Sequence, residues 1–210
     1  MTDAHLFLSS TCPYCPAVLA GLSDLVKKGK LGELLVTNIE QNPEKAAEFG
    51  VRSVPWVRIG PFELTGQLTP AELAQWVERA GSEGGMADYV REQLSAGELA
   101  TVEKRLKQDP SIARSFITLL EDPETPLEVR LGIDSMLESL PQDAVEPLAD
   151  DLVRLSQSDN HRIRSDATWY LALTDNNKAR SAIEARLQDE NPEVREIARE
   201  ALEKFDSNQH

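Results

Sequence analysis

The sequence predicts two folds in one chain: an α/β unit of order β-α-β-α-β-β-α, then an all-α solenoid of repeated helix pairs. Three observations carry this. Over residues 1–80, short apolar runs alternate with amphipathic stretches at helical spacing. Gly81-Ser82-Glu83-Gly84-Gly85 then places three glycines in five residues, which reads as a flexible joint. Beyond it no strand signal recurs, and a β-branched–Arg pair repeats at steps of 34 and 31 residues. The expected division is residues 1–80, a linker at 81–85 and a repeat domain at 86–210.

The elements follow in order. His5-Leu6-Phe7-Leu8 is an apolar run and reads as a strand. Cys12-Pro13-Tyr14-Cys15 leads into a helix with Val18, Leu19, Leu22, Leu25 and Val26 on one face. Pro13 suits the first helical turn, where its missing N–H costs nothing. Leu34 to Ile39 reads as the second strand, and Asn42-Pro43 opens a short helix that Gly50 ends. Trp56–Ile59 and Phe62–Thr65 are strands split by Gly60-Pro61. Thr69-Pro70 caps a last helix with Leu73, Trp76 and Val77 inward. A strand–helix–strand start requires a parallel pair with a right-handed crossover.

In the second part Val129-Arg130, Ile163-Arg164 and Val194-Arg195 mark the repeat. Ile133, Ala167 and Ala198 follow four residues after each β-branched position, and Leu137, Leu171 and Leu202 eight after. A turn with an acid precedes each unit, and second helices are expected at Ala144 to Leu155 and Ala179 to Leu187. Trp169 and Tyr170 fall mid-helix and read as core.

The chain of 210 residues has a formal net charge of −14. Residues 81–210 carry 27 of the 36 acids against 15 of the 22 bases. That balance argues against nucleic acid as a partner, because phosphate binding runs on Lys and Arg. No apolar run approaches the roughly 18 residues of a membrane span. The start MTDAHLFLSS shows neither a basic n-region nor a long apolar h-region. The expectation is a cytoplasmic protein without a membrane contact. Two cysteines do not make a disulfide scaffold, so their spacing is the informative fact.

Cys12 on a strand-to-helix turn would meet unpaired N–H groups and the positive end of the helix dipole, which favour a thiolate. Cys15, one turn on, can attack the mixed disulfide that Cys12 forms. One CxxC offers two metal ligands where zinc takes four, and the three histidines, His5, His161 and His210, form no second pair with it. No metal and no cofactor are expected. His5 reads as a strand residue.

These residues resemble the thioredoxin superfamily over about residues 4–80. Asn38-Ile39-Glu40-Gln41-Asn42-Pro43 and Phe49-Gly50-Val51-Arg52-Ser53-Val54-Pro55 resemble the middle of a thioredoxin, and Gly66-Gln67-Leu68-Thr69 its last turn. The resemblance implies that Cys12 and Cys15 form a redox-active disulfide and that Pro55 is cis and faces Cys12. It implies that the Val54 backbone pairs with a bound substrate strand, a β-augmentation mode of docking. Protein disulfides or dithiols are the implied substrates, and thioredoxin reductase or glutathione the electron donor. Pro13-Tyr14 is the glutaredoxin dipeptide, but the glutaredoxin glycine pair has no match around Gly66-Gln67-Leu68. Leu6 and Val36 stand where thioredoxins carry a buried Asp and a Lys, so a buried base for Cys15 is missing. Tyr14 reads as lining a docking groove or as a solvated turn residue. Trp56 reads as an apolar grip beside the redox site or as strand packing.

The repeats resemble short HEAT-like repeats over about residues 97–205. That resemblance implies a ladder of Asp159, Asp189, Arg164 and Arg195, with Arg130 in the Arg position, and a protein partner on the repeat surface. The expected function is a thiol–disulfide oxidoreductase with a partner-binding solenoid. The alternative is an adaptor whose CxxC is vestigial or only senses redox state.

Overall fold

The computed structural model describes residues 2–208. They fall into two compact units that divide between Tyr89 and Val90. His210 lies outside the described residues.

The first unit opens with β1 (Ala4–Leu8), α1 (Cys15–Lys27), β2 (Leu34–Asn38), α2 (Pro43–Glu48), β3 (Trp56–Ile59), β4 (Phe62–Thr65) and α3 (Pro70–Arg79). This is the expected order, and each strand lies within a residue of its expected bounds. The sheet runs β2-β1-β3-β4, with β1 and β2 parallel and the other pairs antiparallel. The parallel pair follows from the α1 crossover, and the hairpin from Gly60, whose φ of +53° suits the turn.

Register sorts the two faces. Phe7 lies opposite Trp56 and Leu6 opposite Val57. Phe7 and Trp56 pack with Ala46 of α2, and Ile39, Phe49, Val51 and Val54 close around them. Leu6, Val57, Val18, Leu22 and Leu73 are fully buried. Helices α1 and α3 approach closely at Gly21, where an added Cβ would stand 2.8 Å from Leu73 Cδ1. Thr69 caps α3 with a reciprocal capping box to Glu72, and Leu73, Trp76 and Val77 point inward as expected.

Residues 81–85 form tight turns: Ser82 N–H donates to Arg79 O (3.0 Å) and Gly85 N–H to Ser82 O (3.3 Å). Helix α4 (Gly85–Ser95) begins there. At Gly85 a side chain would collide with the Arg79 carbonyl. Tyr89 stacks on Phe62 at 5.3 Å, meets Trp76 edge-on and donates its hydroxyl to Glu63 O (3.1 Å). It thus completes the core of the first unit.

The second unit continues with α5 (Leu99–Gln108), α6 (Arg114–Glu121), α7 (Leu127–Ser139), α8 (Gln142–Val145), α9 (Ala149–Leu155), α10 (His161–Leu171), α11 (Asn177–Arg186) and α12 (Pro192–Asn208). The repeat register turns inward: Val129, Ile163, Val194, Ile133, Ala167, Ala198, Leu137 and Leu171 are buried, and Leu202 is half-buried. The expected helix over Ala144–Leu155 is instead α8, a 3-10 turn at Glu146–Leu148, and α9. Pro147 removes an N–H and blocks a continuous helix.

The arginines of the repeat bind back to the turns before them. Arg164 Nη1 donates to the carbonyls of Ser158 (2.9 Å) and Asp159 (3.0 Å), and Arg195 Nη1 to those of Asp189 (2.7 Å) and Glu190 (3.0 Å). Arg130 Nη2 reaches Leu120 O and Asp122 O in the same way. Carboxylates then link successive units. Arg164 binds Asp189, and Arg130 binds Asp166 at 2.6 Å, a residue outside the expected ladder. Asp159 takes part through its carbonyl. Tyr170 is core, as expected, whereas Trp169 is only half-buried.

Candidate redox site

The loop after β1 is held before the cysteines begin. Ser10 N–H donates to Glu40 Oε1 (3.2 Å), and Asn38 Nδ2 donates to Ser10 Oγ (3.1 Å). Cys12 N–H closes on Ser9 O at 3.4 Å. Helix α1 starts at Cys15, so Pro13 precedes the helix instead of entering its first turn, and Pro16 takes that place. The proline after the second cysteine fits the first turn, where no intrahelical acceptor waits for an N–H.

Cys12 and Cys15 are joined as a disulfide, with their Cα atoms 5.6 Å apart. Cys15 N–H, at the first helical position, also points at Cys12 Sγ from 3.1 Å. A donor at that distance stabilises negative charge on the Cys12 sulfur once the bond is reduced. Burial separates the two. Cys15 is 2% exposed, Cys12 is half-buried, and Tyr14 between them is 51% exposed.

Pairing of Phe7 with Trp56 sets the end of β1 beside the start of β3. The Cys12 loop and the Val54–Pro55 segment therefore lie at the same end of the sheet. The Val54–Pro55 peptide is cis. Pro55 is buried, and its carbonyl accepts from Gly66 N–H at 3.0 Å. Val54 is half-buried, and among the described residues its N–H and C=O have no hydrogen-bond partner. This segment offers a free backbone N–H and C=O at the end of the sheet where the Cys12 loop lies. The Trp56 indole is turned inward, 4% exposed, edge-on to Phe7 and Phe49. Its side chain supports the segment from beneath.

His5 lies in β1, buried between Phe7 and Phe49, with Nε2 2.8 Å from Thr37 Oγ1. Burial, then the charges of Lys45 and Arg58, lower its pKa to about 4. Leu6 is fully buried and Val36 stands partly in solvent on the outer strand β2. Sequence reasoning passed over Glu40, Ser10 and Pro16. The clamp from Glu40 and Asn38 to Ser10 spans about thirty positions, so only the pairing of β1 with β2 reveals it.

The thioredoxin domain family matches residues 2–78. A thioredoxin of Methanocaldococcus jannaschii is 32% identical over 77 residues, covering 36% of this chain and 91% of that protein. A probable thioredoxin of Archaeoglobus fulgidus is 34% identical over 81 residues, covering 38% of this chain and 89% of that protein. Through its first unit the chain belongs to the thioredoxin family. The family match ends before the helical unit begins.

Proposed function

We propose that the protein is a thiol–disulfide oxidoreductase whose helical unit, built of HEAT-like repeats, holds a protein partner, and that it works in the cytoplasm. The Cys12 thiolate attacks one sulfur of a partner disulfide. That bond breaks, one partner sulfur leaves as a thiolate, and a mixed disulfide forms. The Cys15 thiolate then attacks Cys12 Sγ, the second partner thiol leaves, and two electrons have passed to the partner. Thioredoxin reductase or glutathione returns the Cys12–Cys15 disulfide to the dithiol. Tyr14, Val54 and Pro55 shape the docking groove, with Trp56 beneath it.

The observation that carries this reading is the unequal pair at the start of α1. Cys12 is half-buried with a helix N–H on its sulfur, and Cys15 is buried behind it. Insulin reduction with dithiothreitol as donor tests it. The chain should accelerate turbidity, Cys12→Ser should abolish the effect, and Cys15→Ser should accumulate mixed disulfides. The adaptor reading draws on the buried Leu6, which offers no carboxylate to accept the Cys15 proton. A wild-type chain no faster than Cys12→Ser would select it.

A further inference from the structure

On the helical unit, α7, α10 and α12 share a cleft of about 340 Å³. It is lined by Leu131 and Asp134 from α7, Asp166 and Trp169 from α10, and Ile197 and Glu200 from α12. The helical spacing within each set means that one face of each helix contributes. Leu131 is 59% exposed and Leu127, at the cleft mouth, 60%. Solvent-facing leucines of that degree beside a concave site mark a surface that a partner covers.

The polar lining states what kind of partner. Four carboxylates and two guanidiniums surround the cleft, and one guanidinium, Arg130, is bound up with Asp166. Burial, then the neighbouring Glu138 carboxylate, hold the Asp134 carboxyl above its ordinary range. Tyr170 and Lys204 act the other way, and a further cation beside the carboxylate would offset the repulsion from Glu138. Ser165, nine-tenths buried, also lines the cleft, and among the described residues its hydroxyl has no partner. A donor reaching the floor would satisfy it. Trp169 donates its Nε1–H to Glu138 at 3.2 Å and carries Lys204 Nζ 4.4 Å from its ring centroid, and its half-buried indole supplies apolar wall to the cleft. A second copy of this chain is disfavoured as occupant by the net charge of −14 on each.

We propose that this cleft takes the arginine or lysine side chain of a basic, leucine-bearing segment of a protein partner. The proposal rests on the reading that the helical unit holds a protein partner. The cationic head meets Asp134 and Glu200, and its aliphatic stem and flanking leucine lie along Leu131, Ile197 and Trp169.

The test uses the full chain and a fluorescein-labelled decapeptide of alternating leucine and arginine, read by anisotropy. A decapeptide with citrulline for arginine removes the charge and keeps the shape. Saturable binding is expected, weakened about tenfold by citrulline and by either Asp134→Asn or Glu200→Gln, the worth of one charged contact. Asp143→Asn, which removes the same charge from an exposed site on α8, should change binding less than about twofold. No saturable binding, equal binding of the citrulline peptide, or equal losses at Asp143 and Asp134 overturns the proposal. So does a change of sedimenting mass with Asp134→Asn, which would make the occupant a second copy. Partners trapped by Cys15→Ser separate this from the broader reading. A set altered by removing residues 96–210 but not by Asp134→Asn ends the cleft proposal alone. A set unchanged by that removal ends both.

Discussion

Arg164 grips the carboxylate of Asp189 with two parallel hydrogen bonds, Nε to Oδ2 at 3.0 Å and Nη2 to Oδ1 at 2.9 Å, with both side chains buried. The same guanidinium spends Nη1 on two turn carbonyls, so one side chain joins three stretches of chain. Removing it leaves a buried carboxylate without its main partner. Arg164→Ala should destabilise the helical unit by about 3–5 kcal/mol. Arg164→Lys should recover only part, because an ammonium cannot pair bidentately. Urea titration followed by helical circular dichroism measures this, and a loss under about 1 kcal/mol would show the pair to be dispensable.

Reduction should expose unequal thiols. In the dithiol protein, iodoacetamide should modify Cys12 well before Cys15, because Cys12 is half-buried with a donor on its sulfur and Cys15 is 2% exposed. Peptide mass spectrometry at timed quenches gives the order. Equal rates would remove the assignment of Cys12 as nucleophile.

Substrate docking should mark Val54. Its N–H has no partner among the described residues. In the mixed disulfide of Cys15→Ser with a partner peptide, exchange of the Val54 amide should slow at least tenfold relative to the free protein. An unchanged rate would place the peptide elsewhere.

Tyr89 should decide where the first unit can be cut. A chain ending at Ser95 keeps its contacts with Phe62 and Trp76, whereas one ending at Gly81 loses them. Both are expected to fold, the shorter one less stable by about 3 kcal/mol, as for deletion of a buried aromatic. Tyr89→Ala in the longer fragment should reproduce that loss. Thermal denaturation of the three proteins checks it.

His5 gives the first unit a pH dependence. Its pKa is about 4 when folded, below the ordinary 6.5, so the unfolded chain binds its proton more readily. The stability held above pH 6.5 is therefore lost as pH falls from 6.5 toward 4. His5→Gln should flatten the stability profile across that window relative to wild type. Denaturant midpoints at half-unit steps would show it, and parallel profiles would clear His5.

How much of this was legible depends on the range of the interaction. The strands, the capping of α3 by Thr69 and the inward set Leu73, Trp76 and Val77 are written in neighbouring residues, and the structure has them where the pattern puts them. The Cys12–Cys15 pair and the cis bond before Pro55 carry local signatures too. What escaped was long-range or competitive. Pairing of β1 with β2 makes the clamp on Ser10, and the burial of Trp56 opposite Phe7 decides between its two readings in favour of strand packing. Pro147 overrode an apolar helical pattern because one missing N–H outweighs periodicity. Asp166, outside the expected ladder, pairs with Arg130 from 36 positions away, a contact that no local pattern shows.

The outer strand β2 has a neighbour on one side only, and its Leu35 and Val36 stand 49% and 40% exposed. Such a margin is sticky toward its own kind. Distance between molecules is kept by mutual repulsion, since each carries a formal charge of −14. Molar salt collapses that repulsion to a few ångströms. Concentrated, salted preparations should then grow cloudy by ribbon-to-ribbon stacking, and a lysine in place of Val36 should keep them clear.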